Sequence, residues 1–234
     1  MNDNALLFDA FAGSYEQLVD RSVGFLGRKV DFFTAAKVHH LVDVAGRLGI
    51  DVARASVLDV GCGTGGADRL LDPRVGSISG VDVSAEMVSR AAAANPFGCY
   101  QRYDGSELPF GDGSFDVTFA ICVMHHVAPS QWSAFVGEMA RVTRPRGAVM
   151  VFEHNPLNPL TRRAVNNCEF DEDAVLLGPR RVRELFASVG LDVRCRRYIL
   201  LSPVGAAGAC RAERLVGWLP AGAQFVVAAT RSWR

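Results

Sequence analysis

Hydrophobic positions along this chain follow two different periods, and the change falls near residue 50. Before it, Phe8, Phe11, Tyr15 and Leu18 recur at spacings of three and four, which predicts one face of a helix. A second helix is predicted from about Val30 to Leu48, with Gly49 as its stop and His39 and His40 on its surface. After residue 50 come short apolar runs with the character of buried strands: Ser56–Val60, Ile78–Val83, Cys99–Tyr103, Phe115–Ile121 and Ala148–Glu153. Helical spacing separates them over Ala67–Leu71, from the capping Ser84 through Met87 and Val88, and over Trp132–Val142, which Pro145-Arg146-Gly147 terminates. Strands alternating with helices predict βαβ units and a largely parallel α/β sheet under an N-terminal helical cover.

The end of the chain breaks this rhythm. A helix over Val182–Val189 stops at Gly190, and two further strands are predicted at Leu191–Leu201 and Gln224–Thr230. A short helix is expected around Ala209–Trp218. The long connections at 154–178 and 202–222 are candidates for function, because long loops inside compact domains usually serve one.

The 234 residues show neither repeats nor a low-complexity linker, so one domain is expected, with 1–50 as a cap on a 51–234 core. Twenty-five acidic residues balance twenty-five basic ones, which gives no reason to expect nucleic acid or an acidic membrane surface as partner. No two of the six cysteines are separated by two residues, so no zinc knuckle or redox pair is expected. No metal ion is expected either. Free buried cysteines, no signal-like N-terminus and no apolar run approaching ~18 residues together lead to the expectation of a cytoplasmic protein with no membrane span.

The candidate chemistry centres on Val57-Leu58-Asp59-Val60-Gly61-Cys62-Gly63-Thr64-Gly65-Gly66, where an apolar strand ends in an acid and a glycine-rich turn. The turn matches both G-x-G-x-x-G and G-x-G-x-G, so alone it admits a dinucleotide or another nucleotide-like ligand. Asp82 ends the next strand, 21 residues after Gly61, where a carboxylate suits ribose hydroxyls. Asp59, two residues before the first glycine, is awkward for a pyrophosphate and apt for an ammonium group. Asp104, directly after the third strand, is placed for an adenine amine. An amino acid joined to adenosine satisfies all three acids, and S-adenosylmethionine is such a molecule.

At these residues the chain resembles the class I S-adenosylmethionine-dependent methyltransferases, closest to the ubiquinone and menaquinone biosynthesis branch. The matching stretches are Leu58–Gly65, Gly80-Val81-Asp82-Val83-Ser84 with Met87, and Asp104-Gly105. Further along they are Glu107–Phe110 with Ser114–Val117, Val123–Val127 and Arg141–Gly147, so the resemblance covers about residues 55–155. It implies a Rossmann-like, seven-stranded, mostly parallel sheet with helices on both faces and an antiparallel last strand. It also implies S-adenosyl-L-methionine as cofactor and S-adenosyl-L-homocysteine as product.

By the same resemblance Gly61, Cys62, Gly63 and Gly65 form the turn under the methionine part and sugar, and Asp59 orients the ammonium end. Asp82 takes the ribose hydroxyls, Val83 and Met87 pack on adenine, and Asp104 holds its amine beside Gly105. Cys122 lines the methyl side. Tyr15 and Lys37 reach the methionine end from the cover, Lys37 toward its carboxylate.

Methyl transfer from a sulfonium needs alignment, exclusion of water and, for some acceptors, a base. His125 and His126 follow the fourth strand and His154 the fifth, at the carboxyl end of the sheet where ligands bind. These three are the candidate catalytic residues. Asn155, Asn158, Arg162 and Arg163 either bind a polar acceptor or cap a helix, and Trp218 is a candidate aromatic wall. Cys168 and Asp171 take no role in this reading. The expected acceptor is a small aromatic or cyclic metabolite, with carbon slightly favoured over oxygen or nitrogen, and the expected assembly is a monomer or homodimer. The alternatives are a nicotinamide-dependent oxidoreductase and a family member that binds the cofactor without catalysis.

Overall fold

A computed structural model describes residues 3–201, 213 and 215–232 of the chain. Half of the short helix expected around Ala209–Trp218 lies outside the described residues. Seven strands, β1 (Ser56–Val60), β2 (Ser77–Asp82), β3 (Cys99–Arg102), β4 (Phe115–Ile121), β5 (Thr143–His154), β6 (Leu191–Ile199) and β7 (Gln224–Arg231), join in one sheet. Their order is β3-β2-β1-β4-β5-β7-β6. The first five run parallel, whereas β7 pairs antiparallel with both β5 and β6. The order reverses between β1 and β4, so the carboxyl ends of these two strands flank the crevice of a topological switch point.

Alternation along the central strands feeds two apolar layers. Leu58, Val60, Val149 and Val151 face one layer with Met139 and Phe186, while Val57, Met150 and Phe152 face the other with Leu41 and Leu71. The first layer is closed by α6 (Trp132–Val142) and α8 (Pro179–Ser188), the second by α3 (Val30–Arg47) and α4 (Gly66–Leu71). Both faces being covered, these strands read in the sequence as nearly continuous apolar runs. Strand β5 starts at Thr143, five residues before the expected Ala148, because the Pro145-Arg146-Gly147 segment forms an irregularity between the Phe115–Thr143 and Val117–Ala148 pairs.

The cover differs from its expected form. Phe8 and Phe11 belong to α1 (Asp3–Phe11), and Tyr15 and Leu18 to a separate α2 (Tyr15–Val23). The two helices nevertheless turn these side chains onto one satellite cluster with Cys168 and Phe170. Asp9 docks the cover on α5 (Ala85–Ala94), taking a hydrogen bond from Ser84 Oγ at 2.5 Å while Ser84 itself caps that helix through Met87 N.

His40 is not on a helix surface. It is 1% exposed, and its Nε2 lies 2.8 Å from Glu213 Oε2, while Arg197 bridges to Asp43 at 3.0 Å. The partner that makes burial tolerable stands 173 positions away in sequence.

Candidate active site at the carboxyl edge of the sheet

Two cavities open beyond the ends of β1 and β4, about 330 Å³ and 100 Å³ in volume. Tyr15, Gly61, Gly63, Ile121, Cys122 and His126 line both, so the chambers meet over the glycine turn. Gly63 adopts φ +53° with open space where a Cβ would stand, and so leaves the backbone bare toward a ligand. Gly65 serves packing instead. At φ +73° it starts α4, and a Cβ there would strike Asn95 and Ala91; it lines neither cavity.

The smaller chamber holds the predicted nucleoside side. Asp82, Val83, Met87 and Gly105 line it, roofed by Phe8 and Tyr15. Asp82 takes hydrogen bonds from Gly63 N at 2.9 Å and Ser84 N at 3.0 Å, which ties two ligand-facing loops together. Burial raises its carboxyl above the ordinary range against those bonds. Asp104 stands apart: it is exposed, lines neither chamber and accepts hydrogen bonds from Ser106 N and Oγ at 2.8 and 2.5 Å.

The larger chamber holds Asp59, Cys62, Lys37 and the three histidines. Asp59 is 2% exposed, and its Oδ1 has no hydrogen-bond partner among the described residues. Burial, then the neighbouring Asp68 and Asp82, push its carboxyl well up, against the opposing charge of Lys37. Asp68 is pushed up to about 7, chiefly by burial, while accepting a bond from Tyr100 at 2.9 Å. Lys37 is buried with its ammonium 4.0 Å from Cys122 Sγ, a weak acceptor that leaves the charge suited to an anion. Cys122 sits at φ +57°, a left-handed conformation uncommon for a residue with a Cβ and typical of functional sites.

The short 3-10 turn Met124–His126 carries His125 and His126, and Trp132 Nε1 pins it through Met124 O at 2.8 Å. Glu153 accepts from Met124 N at 2.8 Å and lies 2.7 Å from His125 Nδ1. Burial favours neutral His125, but Glu153 and Asp171 outweigh it and raise it well above the ordinary imidazole range. His126 and His154 go the other way: burial and the neighbouring His125 push them down to about 3 and about 4.

Residues of the later connections complete the walls. Phe170, Asp171 and Gln224 line the large chamber, although nothing in their local sequence pattern marks them. Asn158 caps α7 (Pro159–Asn166) through Leu160 N and Thr161 N, and Asn155 bonds Pro220 O and Gly222 O, so both asparagines are structural. Trp218 is 67% exposed and lines neither chamber. No helix among the described residues is long and apolar enough to cross a membrane.

Comparison with known proteins agrees with this geometry. Residues 58–151 match the model of a family described as a methyltransferase domain. The chain is 33% identical over 135 residues to a 2-methyl-6-phytyl-1,4-hydroquinone methyltransferase of Synechocystis, covering 56% of this chain and 40% of that one. It is 31% identical over 149 residues to a 27-O-demethylrifamycin SV methyltransferase of Amycolatopsis mediterranei, covering 60% and 54%. The chain thus spans about half, or less, of the length of these relatives. A solved S-adenosylmethionine-dependent methyltransferase of Thermotoga maritima, described as a possible histamine N-methyltransferase, superposes with a TM-score of 0.71. It is 18% identical, covers 98% of this chain and 100% of its own, and shows the shared fold.

Proposed function

We propose that this chain, which carries a class I S-adenosylmethionine-dependent methyltransferase domain resembling the ubiquinone and menaquinone branch, methylates a small aromatic or cyclic molecule. One observation carries the reading. A buried acid with an unpartnered oxygen, Asp59, and a buried ammonium, Lys37, line one chamber, which meets a second chamber containing Asp82 over a bare glycine turn. An unpartnered carboxyl oxygen and an ammonium at that spot fit the two ends of a free amino acid, and Asp82 with Met87 and Val83 fits a nucleoside. A pyrophosphate has no counterpart here, which disfavours a nicotinamide cofactor.

When bound, S-adenosylmethionine supplies a methyl group already activated on a sulfonium. The protein then has to hold both reactants in line, keep water out and accept a proton. Asp59 and Lys37 hold the amino-acid end, Asp82 the sugar, and Cys62, Gly61 and Gly63 the turn beneath. Cys122 and His126 mark the junction of the chambers, where transfer takes place. The larger chamber beyond them is the acceptor site, with Phe33, Leu160 and Val165 as apolar walls. Of the candidates His125, His126 and His154, burial holds His126 and His154 toward the neutral form, while the carboxylates of Glu153 and Asp171 raise His125. The quinone-branch resemblance favours carbon over oxygen or nitrogen as the methylated atom. Free cysteines fit a reducing cytoplasm.

Calorimetry with S-adenosylhomocysteine and NADH tests the cofactor: tighter binding of NADH would overturn it. Incubation with labelled S-adenosylmethionine and a panel of hydroquinones and phenols tests the acceptor. Label found only in RNA or protein overturns the acceptor class, and cofactor binding without turnover on any acceptor points to a non-catalytic member.

A further inference from the structure

The structure assigns a second ligand to the acceptor chamber: a divalent first-row transition-metal ion held by His125, His154 and Asp171. One donor atom from each residue lies within 4.8 Å of the others. His125 Nε2 stands 3.5 Å from Asp171 Oδ1. Ligands about 2.0–2.1 Å from a tetrahedral ion are separated by about 3.3 Å, so this edge is already at its metal-bound length. The remaining edges need to close by at most about 1.5 Å on that same comparison.

Three further features distinguish the cluster from an ordinary ion pair. First, Asp171 is 92% buried (8% exposed), yet its Oδ1 makes no hydrogen bond among the described residues. The imidazole nitrogens of His125 and His126 meet that oxygen only at ion-pair distance, 3.5 and 3.3 Å, with no hydrogen bond closed. Second, the His125 ring is held from behind: Nδ1 meets Glu153 Oε2 at 2.7 Å, while the other Glu153 oxygen is fixed by Met124 N at 2.8 Å. A carboxylate behind a histidine whose far nitrogen points into a donor cluster is the arrangement that orients metal-binding imidazoles. Third, all three residues line the large cavity, so an ion held by them keeps open positions facing the acceptor. Two imidazoles and one carboxylate with vacant positions suit Zn²⁺ or Fe²⁺ better than Ca²⁺ or Mg²⁺, which prefer all-oxygen surroundings.

The donors come from three separate elements: the turn after β4, the end of β5 and the turn after α7. Their convergence is therefore a property of the tertiary fold. Held by His125, His154 and Asp171, the ion would supply Lewis-acid polarisation of a phenol or enol oxygen of the acceptor. That role rests on the methyl-transfer reading; metal binding itself does not.

Tag-free protein is stripped with a chelator, dialysed against ZnCl₂ and desalted, and its zinc content is measured. CoCl₂ loading supplies a visible absorption spectrum that reports coordination geometry. The expected result is one equivalent per chain, lost in both His154→Ala and Asp171→Asn, and Zn²⁺ affinity weakened roughly 10- to 100-fold in Glu153→Gln. Circular dichroism and S-adenosylhomocysteine calorimetry on the same samples confirm folding. Substoichiometric zinc in the wild type, or zinc retained by both folded variants, overturns the site. Zinc bound without S-adenosylhomocysteine keeps the metal site and overturns the methyl-transfer reading; the reverse pattern does the opposite.

Discussion

Tyr15 lies nearly flat against Phe170, with ring centroids 4.9 Å apart and planes 22° from parallel. One ring comes from the cover and the other from the connection after β5, so this contact fastens the roof of both chambers to their wall. Phe170→Ala is expected to loosen the cover, with a cost that approaches the roughly 3–5 kcal/mol of a buried Phe→Ala change. Amide exchange over residues 3–23 should quicken and S-adenosylhomocysteine should bind more weakly. Exchange matching the wild type would show that the stacking is incidental.

Asp59 and Asp68 make the unliganded protein sensitive to pH. Both carboxyls are raised above the ordinary aspartate range in the folded state, Asp68 from 3.8 to about 7. The folded form therefore binds protons more tightly than the unfolded chain, and the stability this provides is complete below about pH 4 and lost as pH rises to about 7. Asp59→Asn should flatten the slope of thermal stability between those pH values and abolish binding of the amino-acid end. In the wild type, binding of S-adenosylhomocysteine should release a proton, seen as a dependence of the calorimetric enthalpy on buffer ionisation. An enthalpy independent of buffer would contradict it.

Asp82 joins Gly63 and Ser84 as well as facing the nucleoside chamber. Hydrogen bonds to a charged group contribute about 1.5–3 kcal/mol, so Asp82→Ala should weaken S-adenosylhomocysteine roughly 10- to 100-fold. Unchanged affinity in calorimetry would remove Asp82 from the cofactor site.

The buried His40–Glu213 contact anchors the segment before β7 to α3. Leaving a buried hydrogen-bonding group without its partner costs about 1–3 kcal/mol, and His40→Ala should lower urea stability by that order. A loss below about 1 kcal/mol would mean that Glu213 finds other partners at once.

His126 is the neutral ring at the junction of the chambers. A general base is worth about 10²–10⁴-fold when its pKa lies near the working pH, and His126 is pushed down to about 3, so His126→Ala should reduce kcat by roughly tenfold, below that range. A kcat within threefold of the wild type would leave His154 as the remaining candidate.

The sheet was readable because βαβ units bury strands on both faces. The unbroken apolar run from Ala148 to Phe152 is too short for a buried helix and too apolar for a strand with one wet face. The glycine turn and Asp82 were readable because close backbone approach and a carboxylate at a strand end leave local marks. Asp59 was legible as an acid but not as one with a raised carboxyl, since its burial against Asp68 depends on tertiary packing. His40 looked like a surface residue because its partner Glu213 is remote in sequence. Phe170, Asp171 and Gln224 carry no periodic signal: two lie in an irregular connection, and the third opens a strand whose buried residues all look alike. Asp104 is an acid placed by the same logic, and in the structure its loop turns it outward to Ser106.

The helices that carry Phe8 and Tyr15 roof both chambers, and their apolar cluster is separate from the two layers that clamp the sheet. A change that loosens this one cluster therefore bares both chambers together while leaving the clamped sheet intact.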